Sequence, residues 1–382
     1  MNQDLVYKVK QEFGSQFGSQ CLLINSPGRI NLIGEHTDYN LGFVFPAAID
    51  KGIICAMNHS NSSKCTISAL DMNEVFELEL DRLTIGQHGH WINYIIGVVS
   101  EIQKKGWQIK PFNMVFSGDI PKGAGLSSSA ALENSIVFGL NELNSLRLSK
   151  MEMIHISQKA EHNYVGVKCG IMDQYASMFG EEDSALMIDC ASLKAKIVKI
   201  AIQDYDIVLV NSNVSHSLVD AAYNDRRKVC EKVANLLNVE ALRFANASNL
   251  LKLKSKISEE DYQKALYIIE ENQRVIDAYK CLDQGDILGF GTLLFEAHKG
   301  ASEQFCISCP ELDYLVAFSK AHPYVIGARM MGGGFGGCTI NLVAKDRVTD
   351  FIIAISEAYH LEFNKPCTTY KVQLSQGTHL IN

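Results

Sequence analysis

Two glycines and three serines stand close together in the segment Pro121 to Glu133, which reads Pro-Lys-Gly-Ala-Gly-Leu-Ser-Ser-Ser-Ala-Ala-Leu-Glu. Serine hydroxyls can hold a phosphate oxygen or Mg²⁺, and glycine lets the backbone approach a ligand closely. A strand-like run over 112–116 precedes the segment, and apolar residues at helical spacing follow it, so a helix begins here. The first N–H groups of a helix lack intrahelical partners, and its dipole places about half a positive charge there. The segment is predicted to be a phosphate loop.

An ordinary serine-capped helix is the alternative interpretation, because serine is a favoured N-cap residue. Three serines and two glycines together exceed what one cap requires. A Walker A loop is excluded, since the chain contains no Gly-Lys followed by Ser or Thr.

A second polar segment covers residues 28–40 and reads Gly-Arg-Ile-Asn-Leu-Ile-Gly-Glu-His-Thr-Asp-Tyr-Asn. A hydrophobic strand delivers Glu, His, Thr, Asp, Tyr and Asn side chains into a short loop bounded by Gly34 and Gly42. Carboxylates accept hydrogen bonds from sugar hydroxyls, and histidine can donate or accept. The loop therefore favours a polyhydroxylated ligand. A solvated loop stays open as an alternative, as does a metal site, although the spacing matches no familiar metal motif.

A third feature is Asp173, which follows Gly170 and two apolar residues. Taken alone, this aspartate is best explained as a helix N-cap. It becomes a catalytic candidate only if it lies opposite the phosphate loop, and Arg29 is then its expected cationic partner.

A fourth feature is the run Gly332 to Gly337, which formally matches G-x-G-x-x-G. A dinucleotide-binding loop is excluded by context, because the run leads into a strand rather than a helix. Two interpretations remain: a flexible hairpin turn, or a backbone surface pressed against the nucleotide or the phosphate loop.

The elements that must position these residues indicate an α+β protein. The first 80 residues carry many short strand-like runs, which predicts a largely antiparallel or mixed sheet. A second region begins near residue 200, and the chain ends in a strand, glycine turn, strand, helix, strand pattern over 325–372. At 382 residues, two domains are expected, over 1–200 and 201–382, with an α/β sandwich in the second and close packing between them.

Composition and charge limit the kinds of partner and the cellular location that are expected. The net charge of −8 argues against nucleic acid, and no uncharged apolar run of about 18 residues is present, which argues against a membrane span. The N-terminus has no secretory signal, and the 11 scattered cysteines suit reduced thiols, so a cytoplasmic protein is expected. The sequence does not set the oligomeric state, and a monomer is the default expectation.

Together and in this order, the motifs resemble those of the GHMP kinases, and residues 28–40 resemble the signature of the galactokinase family within them. Further segments share this resemblance, namely 90–94, 160–162, 169–174, 186–190 and 223–227. The resemblance implies a two-domain GHMP kinase architecture with the active site between a mixed-sheet N-terminal domain and the C-terminal sandwich. It also implies ATP-dependent phosphorylation of α-D-galactose at the C1 hydroxyl, with Mg²⁺ as cofactor and ATP as co-substrate.

The resemblance assigns roles to individual residues. Asp173 would face the C1 hydroxyl with Arg29 beside it, and Ser129 and Glu161 would hold Mg²⁺. The expected sugar-binding residues are Glu35, His36, Asp38, Gly170 and Tyr223. The expected ATP-binding residues are Lys122, Gly123, Ala124, Gly125, Leu126, Ser127, Ser128, Ser129 and Ala130, with Trp91 and Tyr94 bordering the adenine.

Two related functions remain open at this point. An N-acetylgalactosamine kinase resembles the same motifs and differs around the sugar C2. A non-catalytic galactose and ATP sensor is the other alternative, but such relatives lack the Ser-Ala pair that this chain keeps at Ser129 and Ala130.

Overall fold

The structure, a computed structural model, describes residues 1–121, 123–214 and 219–381. The helices are α1 (Gln3–Phe17), α2 (Ile92–Lys104), α3 (Ser128–Asn144), α4 (Lys150–Ala160), α5 (Met172–Phe179), α6 (Val219–Leu236), α7 (Ala247–Leu251), α8 (Glu259–Asp283), α9 (Ile287–Glu303), α10 (Pro310–Lys320) and α11 (Val348–Phe363). The strands are β1 (Leu22–Asn31), β2 (Phe43–Val44), β3 (Pro46–His59), β4 (Cys65–Ala69), β5 (Glu74–Leu78), β6 (Phe112–Gly118), β7 (Ser184–Asp189), β8 (Lys194–Lys199), β9 (Tyr205–Asn211), β10 (Val325–Met330), β11 (Cys338–Ala344), β12 (Thr368–Val372) and β13 (His379–Leu380).

The first half is built on a six-stranded sheet in the order β13-β1-β3-β6-β4-β5. Strands β4 and β6 are parallel and the other pairs are antiparallel, which confirms the expected mixed sheet. Side chains alternate between the two faces of a strand. On β3, Ile54 and Ala56 pack against α1, whereas Cys55 and Met57 belong to the core under α2 to α4.

The second half is built on an antiparallel sheet in the order β10-β11-β9-β12. The side chains of this sheet also alternate between its two faces, and helices pack against both. Val208 and Val210 of β9 join the core with Phe351 of α11, while Leu209 joins the core with Phe290 of α9. The strand, glycine turn, strand, helix and strand predicted for the end of the chain are all present.

The two halves share a continuous core. Leu32 and Phe45, from the first half, pack in one cluster with Leu209 and Ile340 from the second. The chain also returns at its end, because β13 pairs with β1 through Ile24 and Leu380. The domain ranges 1–200 and 201–382 stay a prediction, to which the structure adds that the last strand joins the sheet of the first half.

A membrane span was not expected from the sequence. Within residues 1–121, 123–214 and 219–381, no helix is both long and apolar enough to cross a bilayer.

Candidate active site

A cavity of about 320 Å³ is lined by residues from all four of the sequence features described above. It is lined by Arg29, Glu35, His36, Asp38, Tyr94, Pro121, Gly123, Ala124, Gly125, Leu126, Ser127, Ser128, Ser129, Glu161, Val167, Cys169, Met172, Asp173, Tyr223, Gly332 and Gly333. Most of the predicted site residues therefore meet in one place.

The phosphate loop turns sharply before α3. Gly123 and Gly125 adopt left-handed backbone conformations, with φ of 69° and 70°, which glycine tolerates without strain. Ser127 is also left-handed, and its hydroxyl donates to Asp173 Oδ2 at 2.5 Å instead of capping α3. This helix start is therefore not the ordinary serine cap that the sequence left as an alternative.

Arg29 and Asp173 form a two-pronged ion pair beside the phosphate loop. Arg29 Nε and Nη2 donate to the two carboxylate oxygens at 2.9 and 3.0 Å, and Nη1 donates to the Gly125 carbonyl at 2.5 Å. Burial alone would lower the pKa of Arg29, but the Asp173 and Glu35 carboxylates outweigh it and raise that pKa. The guanidinium is thus held charged and oriented between the aspartate and the loop.

The loop after β1 carries the predicted sugar-binding carboxylates. Asp38 is buried, and burial together with the nearby Asp173 charge raises its pKa to about 7. A Cβ placed on Gly170 would overlap the Asp38 carboxyl group. Glycine at position 170 therefore supports the site by letting Asp38 approach, and it lies behind the cavity lining.

His36 lines the cavity as a neutral ring. Burial lowers its pKa to about 3. A neutral imidazole has one donor, so Nε2–H donates to the Gly333 carbonyl at 3.2 Å while Nδ1 accepts from the Tyr39 hydroxyl at 2.7 Å. The ring packs against Tyr223, with centroids 4.9 Å apart. Both ring nitrogens of His36 thus already have protein partners, and the ring lines the cavity.

The two predicted metal ligands, Ser129 and Glu161, lie next to each other. Glu161 begins a single turn of π-helix over Glu161–Val165, accepts from Gln174 Nε2 at 2.9 Å and from Cys169 Sγ at 3.7 Å, and is hydrogen bonded to Ser129. Burial and the Asp173 charge raise its pKa to about 7.

This chemistry fits Mg²⁺. A buried carboxylate repelled by a neighbouring carboxylate is stabilised by a divalent cation, and Mg²⁺ is usually held by one or two carboxylates with substrate phosphates and water. The described residues contain no cluster of three or more His, Cys, Asp or Glu side chains arranged for a metal. Within these residues, protein side chains alone therefore do not form a complete metal-binding site.

The remaining residues that were predicted to bind the nucleotide do not all line the cavity. Tyr94 lines the cavity. Trp91 is not brought there: its ring packs into the core against Phe116, and its indole N–H donates to Glu74 at 2.6 Å. Ala130 is fully buried behind the loop. Lys122 lies outside the described residues.

The glycine run lies against the phosphate loop. A Cβ on Gly332 would stand 3.4 Å from the Gly125 carbonyl oxygen, and a Cβ on Gly337 would stand 3.4 Å from that of Gly123. Both glycines have positive φ, 86° and 79°. Of the two interpretations that the sequence left open, the backbone surface pressed against the loop is the one observed.

Sequence reasoning missed Arg329, which holds Glu35 in place. Arg329 is 1% exposed, and its Nη2 lies 3.0 Å from Glu35 Oε1, while the Gly332 N–H donates to the same oxygen at 2.8 Å. Its Nη1 donates to the carbonyls of Asn31 and Leu32. The available signal was a charged residue inside the apolar run of β10.

Comparisons with known proteins agree on one family. The model of the GHMP kinases N terminal domain matches residues 93–181, the galactokinase galactose-binding signature matches 11–59, and the GHMP kinases C terminal model matches 278–360. The chain is 37% identical over 358 residues to a galactokinase of Thermotoga neapolitana, covering 94% of this chain and 99% of that protein.

Two further relatives show the same pattern. A galactokinase of Actinobacillus pleuropneumoniae is 38% identical over 377 residues, covering 97% of this chain and 98% of that protein. Among solved structures, Lactococcus lactis galactokinase complexed with galactose superposes with a TM-score of 0.94 at 33% identity, covering 98% of this chain and 99% of that one.

Proposed function

This chain belongs to the galactokinase family of the GHMP kinases, and from that premise we propose that it transfers the γ-phosphoryl group of ATP to the C1 hydroxyl of α-D-galactose. One observation carries the proposal at the level of the site. The Arg29–Asp173 pair lines a single cavity together with the serines of the phosphate loop and with Glu35, His36 and Asp38 of the sugar loop, which we define as residues 34–43.

We infer that catalysis depends mainly on positioning and charge neutralisation. The transition state of phosphoryl transfer is loose, so the nucleophile needs little activation. Arg29 and the N–H groups at the start of α3 supply positive potential where the transferred group passes. The oxygen–phosphorus bond to O1 forms as the bond to the β-phosphate oxygen breaks.

Asp173 would orient O1 and accept its proton. Arg29 donates twice to this carboxylate and Ser127 once, so its direction is fixed before the sugar binds. Mg²⁺ would be held by Ser129 and Glu161, and when bound it neutralises charge on the β- and γ-phosphates. The positive charge of the ion would also offset the free-energy cost of burying the Glu161 carboxylate.

Specificity for galactose would come from the sugar loop. Glucose differs from galactose only in the configuration at C4. A site that hydrogen-bonds a hydroxyl in a closed pocket rejects an analogue that leaves its polar groups unpaired. Asp38 and Glu35 are the carboxylates placed to do this, with His36, Gly170 and Tyr223 shaping the pocket.

The test is an ADP-release assay with MgATP and a panel of galactose, N-acetylgalactosamine and glucose, followed by phosphorus NMR of the product. We expect turnover of galactose to galactose 1-phosphate and a kcat/KM for glucose at least about a hundredfold lower. Equal activity on glucose would contradict the role of the carboxylates. Tight binding of both substrates without ADP formation would instead indicate a sensor.

A further inference from the structure

Helix α8, from the second half of the chain, holds both ends of the sugar loop. At one end, Glu271 Oε1 accepts from the Gly34 N–H at 2.9 Å. At the other end, Asn272 Oδ1 accepts from the Phe43 N–H at 2.8 Å. Two neighbouring residues on one helix thus hold the two ends of the segment that carries Glu35, His36 and Asp38, three of the predicted sugar-binding residues.

Both acceptors are themselves held in place. Glu271 is fully buried, and its second oxygen accepts from Arg274 Nε at 2.6 Å. Asn272 is 7% exposed, and its amide nitrogen donates to the Ile268 carbonyl at 2.8 Å, which turns Oδ1 toward the loop. Buried acceptors with fixed orientation position a backbone more firmly than exposed ones.

The glycines that bound the loop make this contact possible. Gly34 has φ of 99°, and a Cβ there would stand 2.8 Å from both Val275 Cγ2 and the Phe43 carbonyl oxygen. A Cβ on Gly42 would overlap Asn272 Oδ1. The loop therefore approaches α8 more closely than any larger residue at these positions would allow.

A third contact is made to Glu35, next to Gly34. The Tyr267 hydroxyl donates to the Glu35 carbonyl at 3.3 Å. The Tyr267 ring stacks on Phe305 with centroids 4.8 Å apart, and Phe305 in turn lies 5.1 Å from the His36 ring. Helix α8 thus contacts both ends of the loop, and Phe305 links Tyr267 of α8 to His36.

We propose that Glu271 and Asn272 are positioning residues for the sugar, setting where the Asp38 and Glu35 side chains stand relative to its hydroxyls. Neither is among the described residues that line the cavity, so they act through the loop. The inference rests on the proposed sugar kinase function. The hydrogen bonds that Glu271 and Asn272 make outside α8 go to Gly34 and Phe43 of the sugar loop, so the galactose site should be affected more than nucleotide binding.

The experiment compares E271Q and N272A with wild type in steady-state kinetics, varying galactose and MgATP separately. We expect the galactose KM to rise about tenfold in each variant and the MgATP KM to stay within about twofold, because only the sugar loop is displaced. E270Q is the matched control: Glu270 is adjacent on α8, pairs with Arg274 and Gln304, and should leave both KM values within about twofold.

The split in KM separates positioning from a general loss of structure. A smaller folded fraction lowers the apparent kcat and leaves KM unchanged. A galactose KM within twofold of wild type, or a parallel rise of both KM values, would overturn the proposal. E271Q conserves side-chain volume and decides the matter if N272A does not fold. Wild-type turnover tests the proposed function by itself, and the variants are compared on whichever sugar wild type phosphorylates.

Discussion

At the scale of single residues, Asp173 joins strand β1 to the phosphate loop. It accepts from Arg29 and from Ser127, so removal of its charge leaves two donors facing a weaker acceptor. We expect Asp173→Asn to lower kcat at least about a thousandfold, because the carboxylate can no longer take the O1 proton. Galactose affinity, measured by calorimetry, should stay within about fivefold, because the isosteric amide fills the same space.

The control for that variant is Asp277→Asn, which removes a carboxylate from the outer face of α8, where it pairs with Lys280. It should behave like wild type. If Asp173→Asn keeps turnover within tenfold of wild type, Asp173 has no role as proton acceptor.

Glu161 provides a pH prediction at the same scale. Its folded-state pKa of about 7 lies above the ordinary 4.5, so the folded protein binds this proton more tightly than the unfolded chain. The carboxylate therefore costs stability as pH rises from about 4.5 and reaches its full cost above 7. In the presence of EDTA, Glu161→Gln should stabilise the protein by on the order of 1–3 kcal/mol at pH 8 and by much less at pH 5.

Urea unfolding at the two pH values measures the Glu161 effect. Wild type with Mg²⁺ and a nucleotide analogue provides the comparison, since a bound cation would remove the same penalty. A Glu161→Gln protein that is destabilised equally at both pH values would show that the buried charge is not the cause.

At the scale of elements, the glycine run between β10 and β11 packs against the phosphate loop, and we expect the two to move together. Gly337 has φ of 79°, a left-handed conformation that strains alanine, and a methyl group there would be in van der Waals contact with the Gly123 carbonyl and with Ala124. We expect Gly337→Ala to raise the MgATP KM about tenfold with a smaller effect on the galactose KM, because relief of the backbone strain at residue 337 shifts the glycine run that contacts the phosphate loop. Gly14→Ala, where nothing lies within 4 Å, is the control and should leave both values unchanged. A selective rise in the galactose KM would contradict the assignment of this contact to the nucleotide side.

At the scale of the whole molecule, the end of the chain ties the two halves together. Thr378 is 1% exposed, and its hydroxyl lies 2.9 Å from both the Ser177 carbonyl and the Ser26 hydroxyl. Thr378→Val keeps the shape and removes these hydrogen bonds, so urea denaturation should show a loss of about 1–3 kcal/mol. The matched change at the exposed Thr349 should be neutral. Equal stability of Thr378→Val and wild type would show that the tail is not anchored through this hydroxyl.

Local patterns in the sequence were enough to predict the elements and the main motifs. The strand pattern of 325–372 and the helix after Ser127 follow from residue periodicity and turn chemistry, which act over a few positions. Contacts between distant segments were not accessible in this way. The Glu271–Gly34 hydrogen bond joins residues 237 positions apart, and the burial of Trp91 depends on how α2 packs over the sheet.

The pairing of β13 with β1 has a consequence for synthesis of the chain. Strand β1 carries Arg29 and leads into the sugar loop, yet its outer edge has its partner only when residues 379–380 arrive. During translation, those residues leave the ribosome after strands β1 to β12. The nascent protein therefore carries an open strand edge, with its liability for intermolecular pairing, until residues 379–380 have been synthesised.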